Sequence, residues 1–202
     1  MKNLDSYINE KLVVGKNIIH KKIKVSDKDE LIDIIEERLS EDKNADLNDL
    51  DVSQITEMGY LFHNLDPHNI DISHWNVSNV EDMYGMFIGC TNFNSDLSKW
   101  NVSNVEDMAY MFKNCKNFNS NLSKWDVSKV ENMNHMFDGC EIFNGDISDW
   151  DISNVITTFS MFVNCKKFNS NLSKWNASYI EDMDNMFIGC DSLKNKPSWY
   201  QE

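Results

Sequence analysis

The sequence predicts an α/β repeat solenoid, with one short strand and one short helix in each 25-residue unit and a helical N-terminal cap. Three observations predict it. Cys90, Cys115, Cys140, Cys165 and Cys190 stand 25 residues apart. Trp75, Trp100, Trp125, Trp150 and Trp175 keep that interval, as do Phe62, Phe87, Phe112, Phe137, Phe162 and Phe187. Between these marks runs a unit close to (D/N)VSxVxxMxxMFx(G/N)CxxFNx(D/N)LSxW, in copies that begin at Asp51, Asn76, Asn101, Asp126, Asp151 and Asn176. A unit this short cannot bury its apolar face alone, so neighbouring copies must supply the cover.

The first half of the unit reads as a helix. Ser78 and Glu81 have the spacing of a capping box, repeated at Ser103/Glu106, Ser128/Glu131 and Ser178/Glu181. Val80, Met83, Met86, Phe87 and Cys90 then fall on one face of a short helix. Asn64, Gly89, Asn114, Gly139, Asn164 and Gly189 follow. Gly and Asn accept the left-handed conformation that ends a helix.

The second half has no helix face. Its apolar residues suit a short strand around Leu97, with Phe93, Leu97, Trp100 and Val102 inward. Strands stack about 4.8 Å apart and helices about 8–10 Å, so the array is expected to curve with strands inside, a leucine-rich-repeat-like arrangement. Asn69, Asn94, Asn119, Asn144 and Asn169 form a column of expected buried amides, each bonding free backbone groups of the neighbouring copy. Lys194 ends that column.

The ends depart from the unit. The first copy has Leu65 for Cys and His68 for Phe; the last has Leu193 for Phe, Pro197 for Leu and Tyr200 at the Trp position, with Trp199 beside it. Proline cannot donate to a ladder, so residues 51–202 read as six repeats, the last a degenerate C-terminal cap. Residues 1–50 lack the period and read as the N-terminal cap, with a helix over about 27–41 whose apolar positions are Leu31, Ile34, Ile35 and Leu39. Residues 1–24 are basic and read as a strand or hairpin of that cap.

Composition bounds the function. There are 19 Lys and Arg against 33 Asp and Glu, a net charge of −14. This argues against direct nucleic-acid binding and against docking on anionic lipid. No apolar stretch is long enough for membrane insertion, and no secretory leader is legible, so the expectation is a cytoplasmic monomer, or a cell-surface protein if a leader was removed. The cysteine column places one thiol on each copy, pointing inward, which is core packing rather than a metal set. His20, His63, His68, His74 and His135 have no metal-ligand spacing. No phosphate loop, nucleophile elbow or zinc-protease motif is present, so no catalytic, cofactor-binding or metal-ligating residues are expected.

The unit WNVSNVEDMxxMF, followed by C and FNxDLS, resembles the repeat of BspA-like leucine-rich-repeat surface proteins, abundant in mycoplasma lipoproteins, Brachyspira and some large viruses. The resemblance covers residues 51 to about 200, and ELIDIIEERL with DLNDLDVSQITEMGYLF resembles the start of such arrays. It implies a leucine-rich-repeat fold and roles in adhesion or host-protein binding, and it brings no catalytic residues. The chain departs from the family's usual setting in showing no signal peptide or lipobox.

Function is then expected at exposed positions. His74, Lys99, Lys124, Asp149 and Lys174 form a column beside the expected strand, the candidate surface for a partner protein. Glu81, Asp82, Glu106, Asp107, Glu131, Glu181 and Asp182 form an acidic stripe at the expected helix N-termini, where they would complement the helix dipole. The fifth copy breaks the stripe with Ile156, Thr157 and Thr158, and its apolar Ile156 and Val163, with Tyr84, Ile88 and Tyr110, suggest a contact patch. The leading expectation is a non-enzymatic protein-interaction module. The alternatives are a polyanion mimic that inhibits a nucleic-acid-binding protein, and a surface adhesin.

Overall fold

The computed structural model describes residues 11–14, 17–20 and 22–201, with side chains from residue 22 onward. The rest of the basic segment 1–24 lies outside the described residues. Two strands, β1 (Lys11–Val14) and β2 (Asn17–His20), pair antiparallel with Lys11 opposite His20. A short β3 (Ile23–Lys24) pairs in parallel with β4 (Leu50–Asp51).

Between β3 and β4 lies α1 (Lys28–Glu41). Its start is written in the side chains. Asp27 accepts from the Glu30 N–H at 2.9 Å, while the Ser26 N–H and hydroxyl donate back to the Glu30 carboxylate. Leu31, Ile35 and Leu39 are buried, Ile34 partly so. Arg38 grips Asp49 with two bonds of 2.6 and 2.9 Å, tying the last turn of α1 to the segment before β4.

The copies that follow stack through bonds between residues about one period apart. Among the described residues they contain no helix, which corrects the helix expected in the first half of each copy. The reason lies in where the amides point. In the copy from Asn76, the N–H groups of Met83, Gly85, Phe87 and Gly89 donate to the carbonyls of Asp107, Ala109, Met111 and Lys113 in the next copy, at 2.8–2.9 Å. The intervening amides of Met86, Ile88 and Cys90 bond three residues back, closing tight turns. With every second amide spent on the neighbouring copy, the i to i−4 ladder of a helix is unavailable. The apolar spacing of three that suggests a helix is equally the spacing of consecutive turns.

Backbone handedness agrees. Asn64, Gly89, Asn114, Gly139, Asn164 and Gly189 all have positive φ, from 58° to 78°. A second left-handed column sits four residues earlier: Tyr60, Gly85, Tyr110, His135, Ser160 and Asn185, at 54° to 61°. A left-handed residue in mid-segment breaks any helix, and five of these six are not glycine, so the column leaves no glycine signature in the sequence.

Strand-like pairing also falls elsewhere than expected. Single-residue parallel bridges link Glu57, Asp82, Asp107, Asn132, Thr157 and Asp182 in succession, in the first half of each copy. The half around Leu97 forms turns, and side chains stitch it. Trp75, Trp100, Trp125, Trp150 and Trp175 donate Nε1–H to the carbonyls of Leu47, Ile72, Leu97, Leu122 and Ile147 at 2.9–3.0 Å. The Leu97 N–H donates to Ser120 Oγ, and the Ser170 hydroxyl to the Gly145 carbonyl. Among the described residues no helix stands opposite a strand in these copies, so unequal spacings give them no reason to curve.

The asparagine column forms, but at the surface rather than buried. Asn94, Asn119, Asn144 and Asn169 accept the N–H of Asn119, Asn144, Asn169 and Lys194. It also starts one copy earlier, with Asn44 accepting from Asn69. Asp46 bridges Asp71 and Leu47 accepts Trp75, so residues 44–50 are the second half of an earlier copy rather than aperiodic cap. At the other end, Trp199 continues the tryptophan column. It stacks on Trp175 at 6.1 Å and donates to the Leu172 carbonyl, while Tyr200 meets Phe187 edge-on.

One apolar core runs through the stack, from Val25 and α1 to Phe187. The phenylalanines from Phe62 to Phe187 stack at 5.0–5.8 Å. Phe93, Phe118, Phe143 and Phe168 form a second file at 5.9–6.2 Å. Each such aromatic pair contributes roughly 0.5–1.5 kcal/mol beyond its buried area.

Candidate interaction surfaces

The inward residues are committed to stacking. Each cysteine donates Sγ–H to the carbonyl of a phenylalanine in the preceding copy, from Cys90 to Phe62 through Cys190 to Phe162, at 2.9–3.3 Å. Burial raises the thiols of Cys90 and Cys190 to about 12, and those of Cys115, Cys140 and Cys165 well above the usual range. A buried thiol held protonated is a poor nucleophile at neutral pH. Among the described residues no three His, Cys, Asp or Glu converge as a metal set.

The (D/N)xS motifs, including the NxS sequons at Asn76, Asn101, Asn121, Asn171 and Asn176, are turns. The Asn or Asp side chain accepts the N–H of the serine two residues on, as in Asn76 to Ser78, Asn101 to Ser103 and Asp126 to Ser128. The expected capping boxes are therefore not formed. Serine hydrogen bonds hold the carboxyls of Asp51, Asp96, Asp126 and Asp146 below the usual range.

His74, Lys99, Lys124, Asp149 and Lys174 are all exposed and occupy equivalent places in successive copies. Lys174 pairs with Asp149 at 2.7 Å. Both are largely in solvent, where such a pair adds little stability.

The acidic stripe has a different structural setting from the one expected. It flanks the parallel bridges, not helix N-termini, so helix-dipole complementarity does not explain it. The Asp82, Asp107 and Asp182 side chains accept the N–H two residues on, at Tyr84, Ala109 and Asp184. Burial raises the Asp107 carboxyl above its ordinary value. Glu81, Glu106, Glu131 and Glu181 have exposed side chains. None of these stripe carboxylates has an ion-pair partner among the described residues.

Beside the stripe runs a file of rings: Tyr60, Tyr84, Tyr110, His135 and Phe159. Successive centroids lie 5.2, 5.3, 4.7 and 5.2 Å apart. Tyr60 is 50% exposed and the other four are half-buried. The Tyr60 ring lies over Gly85, where an added Cβ would come within 2.9 Å of it. A hydrogen bond to Tyr60, which favours the protonated phenol, and burial push Tyr84 up to about 12. The sequence picks out Tyr84 and Tyr110 singly but hides the file, because its rings are divided irregularly between two adjacent positions of the unit.

The fifth-copy patch is only partly exposed. Ile156 is 43% exposed and, with Ser153, Asn154, Tyr179 and Glu181, lines an open depression. Val163 is half-buried, and Thr158 is fully buried against Met186.

Stacked short repeats with a continuous core define the class of protein. The family model described as "Mycoplasma protein of unknown function, DUF285" matches residues 34–128 and again 99–200. The chain belongs to this family. No curated protein and no solved structure matches it. Among the described residues no helix is long and apolar enough to cross a membrane.

Proposed function

We propose that the chain is a non-enzymatic protein-interaction module: its copies form a solenoid whose exposed rows bind a partner protein. The observation that carries this reading is the division within each copy. Inward side chains and most periodic polar groups are used in stacking, while the exposed row from His74 to Lys174 repeats from copy to copy with one solvent-exposed ion pair, Lys174 to Asp149, as its only salt bridge among the described residues. Repetition of one exposed position along a rigid stack suits an extended contact.

The row His74, Lys99, Lys124, Asp149 and Lys174 is the proposed contact. Affinity capture with the purified protein, compared with Lys99→Glu/Lys124→Glu/Lys174→Glu, tests it. Specific loss of the captured partner with unchanged thermal stability supports the row, and unchanged capture contradicts it. A polyanion mimic is less well supported, because Ile156 and Thr157 interrupt the acidic stripe and its aspartates serve local turns. A surface adhesin would use the same binding chemistry at another address. Protease protection on intact cells distinguishes the two locations.

A further inference from the structure

We propose that the aromatic file Tyr60–Tyr84–Tyr110–His135–Phe159, with the carboxylates beside it, docks an extended Lys/Arg-rich segment of a partner protein. This rests on the reading of the chain as an interaction module, and it names the partner's chemistry and a second surface.

Four observations carry it. First, the rings have no place in the repeat's core. They form a continuous half-exposed file where the backbone does not call for a ring, as Gly59, Ala109, Asn134 and Asp184 at the Tyr84 position and Gly85, Ser160 and Asn185 at the Tyr60 position show. Second, negative charge borders the file: Asp107 is near enough to Tyr84 to help raise its phenol, and the exposed Glu81, Glu106 and Glu131, three or four residues before Tyr84, Tyr110 and His135, have no ion-pair partner among the described residues. Third, the surface already holds a cation of this kind. Lys113 Nζ lies 5.3 Å from the Tyr110 ring centroid while pairing with Asp138 at 2.8 Å. An ammonium or guanidinium over a tyrosine face, anchored by a carboxylate, is the contact that each added basic side chain would repeat. Fourth, the length fits. Five rings spaced 4.7–5.3 Å apart span about 20 Å, the reach of about six extended residues, three of them on one face.

Fluorescence anisotropy with a labelled nine-residue alternating Arg-Ser peptide, and its Glu-Ser counterpart, tests this on the full chain. The basic peptide is expected to bind and the acidic one not to. Tyr84→Leu/Tyr110→Leu should weaken binding about tenfold, and Tyr84→Phe/Tyr110→Phe less than about twofold, because the ring face is kept. Tyr60→Leu, at the exposed end of the file, should weaken it about threefold without disturbing the core. Glu81→Gln/Glu106→Gln/Glu131→Gln should weaken binding and flatten its salt dependence. No binding of the Arg-Ser peptide overturns the proposal. So does equal binding by the Leu variants, which would leave only a polyanion surface. If the peptide fails while capture still depends on Lys99, Lys124 and Lys174, the interaction module stands and this surface alone falls.

Discussion

Two halves of each copy solve the same problem, joining one copy to the next, by different means. From Met83 to Gly89 the joining is done by main-chain amides. From Phe93 to Trp100 it is done by Trp Nε1, Ser Oγ and Asn Oδ1. Main-chain bonds do not depend on side-chain identity, so the first half tolerates variety. The left-handed position there holds Tyr60, Gly85, Tyr110, His135, Ser160 and Asn185 in turn. Side-chain bonds demand identity, so tryptophan stands in every copy from Trp75 to Trp175. Freedom to vary lies in the backbone-joined half, and the aromatic file occupies it.

The largest expected effect is at the seam between the halves, where the cysteines lie. Burial raises the folded-state pKa to about 12 at Cys90 and Cys190, and well above the ordinary value of about 9 at Cys115, Cys140 and Cys165. A raised thiol pKa adds stability that is complete below pH 9 and is lost as pH rises toward 12. The urea midpoint should therefore hold steady to about pH 9 and fall steeply above it. Alanine at Cys115, Cys140 and Cys165 together should lower the midpoint at neutral pH and flatten the alkaline fall.

A glycine pair sharpens the comparison within the backbone-joined half. At Gly139 an added Cβ would lie 2.4 Å from Asn114 Oδ1 and 3.3 Å from its Cα; at Gly89 nothing lies within 4 Å. Both have φ of 78°. Gly89→Ala should cost only the left-handed strain, about 1–2 kcal/mol, and Gly139→Ala about 2–5 kcal/mol, read from chemical denaturation. Equal costs would mean that the copies are not in this contact.

In the side-chain-joined half, Trp125→Phe removes the bond to the Leu97 carbonyl, which keeps its bond from the Trp100 N–H. About 1–2 kcal/mol is expected from the lost bond and the smaller ring. The smallest effect is Asp126→Asn. Asn76 and Asn101 already make the same turn, so stability at neutral pH should change by less than about 0.5 kcal/mol. The lowered Asp126 pKa adds stability above the usual carboxylate range that is lost as pH falls through it, so the variant should lose less on acidification.

The same contrast explains what was legible in the sequence. Side-chain stitching writes itself in fixed letters. The 25-residue period, the inward Phe93, Leu97, Trp100 and Val102, the asparagine bonds and their end at Lys194 could all be read. Main-chain stitching leaves no letters. The left-handed φ of Tyr60, Tyr110 and His135 is invisible in their side chains, so Val80, Met83, Met86 and Phe87 read as a helix face. The half-copy at 44–50 was masked because Leu50 stands in the tryptophan place. Trp199 displaced Tyr200 by a one-residue slip that only stacking geometry reveals. Of the candidate surfaces, the charged rows follow from the period, whereas the aromatic file needs three dimensions.

The central claim is that the first half of each copy is joined to its neighbour through the backbone and is not helical. Through-hydrogen-bond scalar couplings in the labelled protein test it most directly. Correlation of the Gly85 nitrogen with the Ala109 carbonyl carbon, and of Phe87 with Met111, is the predicted result. Correlation of Gly85 with the Glu81 carbonyl, four residues back, would show a helix and contradict the account.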